Sequence, residues 1–143
     1  MGVSMDIRKC AVILLVLLML TCTACSNRKK VTGIELDKAQ LELDDYCSTI
    51  PGYVSDGERI YFDVTKDKNL DLCTTVTIGR EWKHTAVIVY DVVNATFYLF
   101  EDDSVNYSIS GIEKNKLIIK EGEDTRGTIK FVFGKLRFFP MKK

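Results

Sequence analysis

The sequence has one histidine, one tryptophan and two prolines in 143 residues. A single imidazole is too few for a multi-histidine metal centre. Two prolines exclude a proline-rich spacer. Neither sign of charge is in excess, with 20 basic and 20 acidic residues, which argues against the clustered cationic footprint of a nucleic-acid binder. There is no internal repeat, no glycine-flanked nucleophile serine and no calcium loop of EF-hand spacing. With no catalytic constellation, no cofactor motif and no metal-ligand spacing, the expectation is a protein that is not an enzyme.

What the sequence does have is an apolar run at its start. Arg8 and Lys9 precede Cys10–Leu20 (CAVILLVLLML), eleven apolar residues. A helix needs about 20 to cross a bilayer, so a positive start, a short apolar middle and small residues after it predict a secretory signal. The run closes in Leu20-Thr21-Cys22-Thr23-Ala24-Cys25-Ser26. This stretch resembles the lipobox of bacterial lipoproteins, in which a small residue precedes the modified cysteine. The resemblance covers the first 26 residues and implies cleavage after Ala24, a diacylglyceryl thioether on Cys25 and acylation, of palmitate type, of the new amino terminus. Cys22 is the competing position, but Leu20 and Thr21 before it fit the cleavage site less well. Buried acyl chains contribute about 0.8 kcal/mol per CH₂, so several anchor firmly. The expected layout is a signal peptide over 1–24, a lipidated tether over 25–30 and one domain over 31–143. The domain would then sit outside the cytoplasm, held to the cell membrane or an outer membrane. Ser26, in place of Asp, implies the periplasmic face of an outer membrane where the cell has one. Without Asp6, Arg8 and Lys9 the remainder is near neutral, about −1.

Short alternating segments fill the domain. Arg59–Val64, Cys73–Ile78, Ala95–Phe100, Val105–Ile109, Lys116–Lys120 and Thr128–Phe139 read as strands, rich in β-branched and aromatic residues. Ala86–Tyr90 (AVIVY) is continuously apolar, the pattern of a central strand covered on both faces. In Thr128–Phe139 the apolar phase shifts by one residue at Gly134, which predicts a bulge or sharp bend. Ile34, Leu36, Leu41 and Leu43 alternate with polar residues and suggest two more short strands. The competing reading is a helix with Ala39, Leu43, Tyr46 and Cys47 on one face. Val31–Leu43 is also similar to the opening strands of bacterial Ig-like group 2 domains, over about thirteen residues. About eight short strands with turn signals every 8–12 positions predict an all-β fold, a small antiparallel barrel or sandwich. The sequential hairpins of the second half favour the barrel.

Few residues invite a chemical role. Cys47 and Cys73 are the cysteines left after Cys25. In an exported chain they are expected to form a disulfide, closing a loop of about 27 residues for roughly 3.5 kcal/mol. Trp82 and His84, in the polar bridge Glu81–His84, offer a contact surface. The acidic turns at Asp102-Asp103 and Glu121–Asp124 read as solvated loops. Phe97, Tyr98, Phe100, Phe131, Phe133, Phe138 and Phe139 either fill a core or line a cavity. Two functions follow as expectations. One is a membrane-anchored, non-catalytic binding module with a protein partner in the envelope, of inhibitor or immunity type. The other is a lipocalin-like carrier of a small ligand. Mass spectrometry of the protein from its native membrane tests the attachment site: Cys25→Ser is expected to abolish the acyl mass, and Cys22→Ser to leave it in place.

Overall fold

Thr32-Gly33-Ile34-Glu35 is a helix start. Thr32 Oγ1 accepts from the Glu35 amide, and the Glu35 carboxylate accepts from the Thr32 amide at 2.8 Å, a reciprocal capping box contributing about 1 kcal/mol. Helix α1 runs from it over Gly33–Ser48. The computed structural model describes residues 31–142 apart from Asp56 and Trp82; the leader, Cys25 and the tether lie outside the described residues. Helix α1 replaces the two strands expected over Val31–Leu43, and with them the likeness to Ig-like opening strands. Two of the residues that made the alternation, Ile34 and Leu41, are 82% and 68% exposed. The buried stripe is Ala39, Leu43 and Cys47, spaced by four, the period of a helix lying on a sheet.

Among the described residues nine strands follow: β1 Val54–Ser55, β2 Ile60–Phe62, β3 Asp71–Ile78, β4 His84–Asp91, β5 Thr96–Phe100, β6 Tyr107–Glu113, β7 Lys116–Glu121, β8 Thr125–Val132 and β9 Lys135–Pro140. They form two antiparallel sheets. The first has the order β1-β3-β4-β5, with β2 also paired to β3; the second is the meander β6-β7-β8-β9. The fold is all-β apart from α1, and it is a sandwich rather than the favoured closed barrel. The chain expected to run on through Gly134 instead reverses there: Phe133 (φ 50°) and Gly134 (φ 75°) are the two left-handed residues of a tight hairpin turn between β8 and β9. That reversal is the source of the phase shift read in the sequence.

The first sheet is the middle of three layers. Along β3 and β4, Leu72, Val76, Ile78, Ala86, Ile88 and Tyr90 face α1 and pack with its buried stripe. Cys73, Val87 and Val89 face the second sheet and meet Tyr107, Leu117, Ile119 and Ile129. Side chains alternate across a pleated strand, so one strand serves both cores. Each face carries aromatic packing. On the helix side Phe97 is stacked between Tyr46 and Tyr90, both at 4.2 Å, and the Tyr90 hydroxyl donates to Glu42 of α1. On the other side Phe100 packs on Tyr107, and Tyr98 meets the edge of Phe131.

This layering overturns the expected Cys47–Cys73 disulfide. Cys47 belongs to the helix-side core and Cys73 to the inter-sheet core, so the first sheet lies between the thiols. Both are free and buried. Burial pushes each thiol pKa up, which suppresses the reactive thiolate. The folded protein is therefore expected to react slowly with a thiol reagent at both positions. After denaturation, without reductant, Cys47 and Cys73 should both be labelled at once; a denatured chain resisting labelling until reduced would contradict the fold.

Candidate functional site

At one end of the first sheet, β4 begins at His84 and β5 gives way to an acidic turn. The β4–β5 register pairs Val87 with Phe100 and Ile88 with Leu99. Continuing that register brings residue 84 opposite residue 103. His84 Nε2 lies 3.4 Å from a Glu101 oxygen and 3.8 Å from an Asp103 oxygen. The turn is held in shape by Asp102, whose Oδ1 accepts from the Ser104 amide at 2.9 Å and hydroxyl at 2.6 Å. Those bonds, with a smaller contribution from His84, lower the Asp102 pKa. Sequence reasoning treated His84 and the acidic turn as separate features, and the structure brings them together. The hairpin register was the signal that would have joined them. Trp82, the other expected contact residue, lies outside the described residues.

The three side chains offer ligand atoms within 4.8 Å of one another. A zinc ion is held at about 2.0–2.2 Å from such atoms, so the cluster would have to tighten around a metal. As it stands it is a largely acidic patch in which His84 lies within hydrogen-bond reach of Glu101. The neighbouring β7–β8 turn adds Glu123 and Asp124, both exposed. It is tied to this end by the Gly122 amide donating to the Asn106 carbonyl at 2.8 Å, while Asn106 also accepts from the Thr85 amide. The Glu121 carboxylate is occupied structurally, accepting from the Tyr107 hydroxyl at 3.0 Å.

The opposite end differs in character. The β7–β8 ladder stops at Ile118↔Thr128, although β8 continues to Val132 beside β9. A cleft of about 310 Å³ opens there, lined by Phe62, Val64, Ile129 and Phe131 with Lys66, Lys116 and Lys130. The loop that supplies Lys66 is pinned by Asp71. Its carboxylate, 1% exposed, accepts from the Val64 amide at 2.7 Å, the Thr65 amide at 2.9 Å and the Thr65 hydroxyl.

Between the sheets the core is packed around Cys73, Val87 and Val89, and the cleft beside Phe62, Ile129 and Phe131 opens at its end. The expected aromatic set is dispersed. Phe97 faces the helix, Phe138 packs in the inter-sheet core, and Phe133 stands 96% exposed at its turn. No protein-family model matches the chain, nor does any curated protein or solved structure.

Asp71 gives this end a pH dependence. Burial pushes its pKa up to about 7, against the hydrogen bonds it accepts, and Asp91 adds to the rise. The folded state therefore holds a proton that the unfolded carboxyl, near its ordinary value of 3.8, gives up at lower pH. The group's contribution to stability is complete below the unfolded value and is lost as pH rises through about 7. Urea unfolding of the native protein and of Asp71→Asn at about pH 5 and about pH 8 should show the native protein losing stability relative to the variant at the higher pH. Parallel behaviour of the two would refute the assignment.

Proposed function

We propose that the chain is a membrane-anchored envelope lipoprotein whose domain is a non-catalytic binding module that occupies and neutralises a protein partner. The lipobox-like stretch ending at Cys25 supports the anchorage. The observation that carries the binding reading is the acidic end. Glu101, Asp102 and Asp103 are exposed on a turn braced by hydrogen bonds, beside Glu123 and Asp124. A pre-ordered excess of acid steers a partner of the opposite sign and costs little to immobilise on binding. The partner surface that fits is basic.

The location of this end supports the same reading. The tether joins the domain at Val31, whose amide donates to Asn69 in the loop between β2 and β3. The β3–β4 and β4–β5 registers place that loop at the other end of the sheet from His84. The acidic end thus projects away from the attachment point. A carrier function would have to use the cleft of about 310 Å³ at the end of the inter-sheet core, because the middle of that core is packed.

In-cell photo-cross-linking from position 103 tests the proposal. A discrete adduct with an envelope protein is expected, and Asp102→Lys combined with Glu123→Lys should abolish it. Cross-linking that yields no adduct across growth conditions, or an adduct indifferent to the charge reversals, would refute it.

A further inference from the structure

The end that receives the tether carries a second surface. Lys66 and Lys68 lie on the loop between β2 and β3, Lys114 and Lys116 at the β6–β7 turn, and Lys130 and Lys135 beside the β8–β9 turn; all six are exposed. The sheet registers place both turns at one end of the second sheet. The cleft joins Lys66 of the loop to Lys116 and Lys130, so the three segments form one surface. The acids among them are fewer than the lysines. Asp63 accepts from the Lys68 amide, Asp67 from the Asn69 amide, and Glu113 pairs with Arg126. The β8–β9 turn between Lys130 and Lys135 carries Phe133, 96% exposed. A phenylalanine presented to water at a hairpin tip contributes nothing to either core, and an apolar tip on an end that carries these lysines matches the boundary between anionic head groups and acyl chains.

We infer that this lysine-bearing end is a docking face for an anionic phospholipid surface, with Phe133 entering the interface and Lys66, Lys116 and Lys130 taking the phosphates. The length of the tether supports the choice of occupant. Only Cys25 to Lys30 separates the lipidation position from Val31, and Val31 is bonded to Asn69 beside these lysines. Six residues reach at most about 20 Å, so a lipid on Cys25 holds this end, and not the acidic one, next to the bilayer. In the sequence, Arg28, Lys29 and Lys30 immediately precede Val31. The near-neutral net charge of the mature chain thus conceals a basic face towards the membrane and an acidic face away from it. This inference takes its orientation from the proposed anchorage, but the face itself is defined by the folded domain and can be tested without the lipid.

The test uses the unlipidated mature chain, residues 25–143 with Cys25→Ser, and sedimentation with two sets of vesicles. One is pure phosphatidylcholine and the other an equimolar mixture with phosphatidylglycerol. Binding is expected to the mixed vesicles alone and to weaken with added salt. Replacing Lys66, Lys116 and Lys130 together by Gln should cost about a hundredfold in affinity, from about fivefold per lysine. Phe133→Ser should weaken binding several-fold, while Lys83→Gln with Lys142→Gln, cations away from this face, should leave it unchanged. In a Trp82→Phe background, Phe133→Trp fluorescence should shift to the blue on the mixed vesicles. Absence of binding, equal binding to both vesicle types, or binding that survives the triple lysine substitution would overturn the inference. Failure here leaves the anchorage reading standing, because that reading is decided by the acyl mass on Cys25.

Discussion

Burial of one strand on both faces is the constraint on which the remaining structure depends. Val87, Ile88 and Val89 of β4 are each fully buried, and they point alternately into the two cores. Burying such side chains contributes about 1.5–3 kcal/mol each, but only if both faces of the sheet are covered. The chain before the sheet supplies one cover, α1, and the chain after it supplies the other, the β6–β9 meander. Neither cover has a core of its own. The buried stripe of α1 is three residues, Ala39, Leu43 and Cys47, and the inner face of the meander is completed by Val87 and Val89. The same layering keeps Cys47 and Cys73 apart, so the domain is held by packing with both thiols free.

The parts of the fold legible in the sequence are those where one period dominates. Ala86–Tyr90 is apolar without interruption because both its faces are buried, and β3, β5 and β7 are rich in β-branched and aromatic residues. The helix was misread because Ile34 and Leu41, which are exposed, happen to fall in register with Leu36 and Leu43 to mimic a period of two. The capping pair Thr32 and Glu35 carried the correct signal. The hairpin at Phe133-Gly134 was hidden because a phenylalanine occupies a left-handed turn position more often taken by Asn, Asp or Gly. The disulfide expectation failed for a topological reason: two cysteines in one chain say nothing about which face of a sheet each occupies.

The candidate surfaces were legible only in fragments. Lys66, Lys116 and Lys130 come from three separate segments, and their convergence depends on how the loop after β2 seats against splayed β7 and β8. His84 and Asp103 are nineteen positions apart and meet through the hairpin register. Charge summed along the chain gives a value near zero, whereas the ends of the sandwich differ, with carboxylates concentrated at one and lysines at the other. Such a division suits a small domain held at a membrane, since each end meets a different environment. The fold achieves it with turns, where substitutions cost little stability, around a core that tolerates few.

Native-state hydrogen exchange tests the central claim most directly. If β4 is the layer that both covers need, the amides of 86–90 should exchange only through global unfolding, and no state should retain the β6–β9 meander after β4 has opened. Protection in β7 and β8 that outlasts protection in β4 would contradict the account, because it would show that the second sheet holds a core of its own.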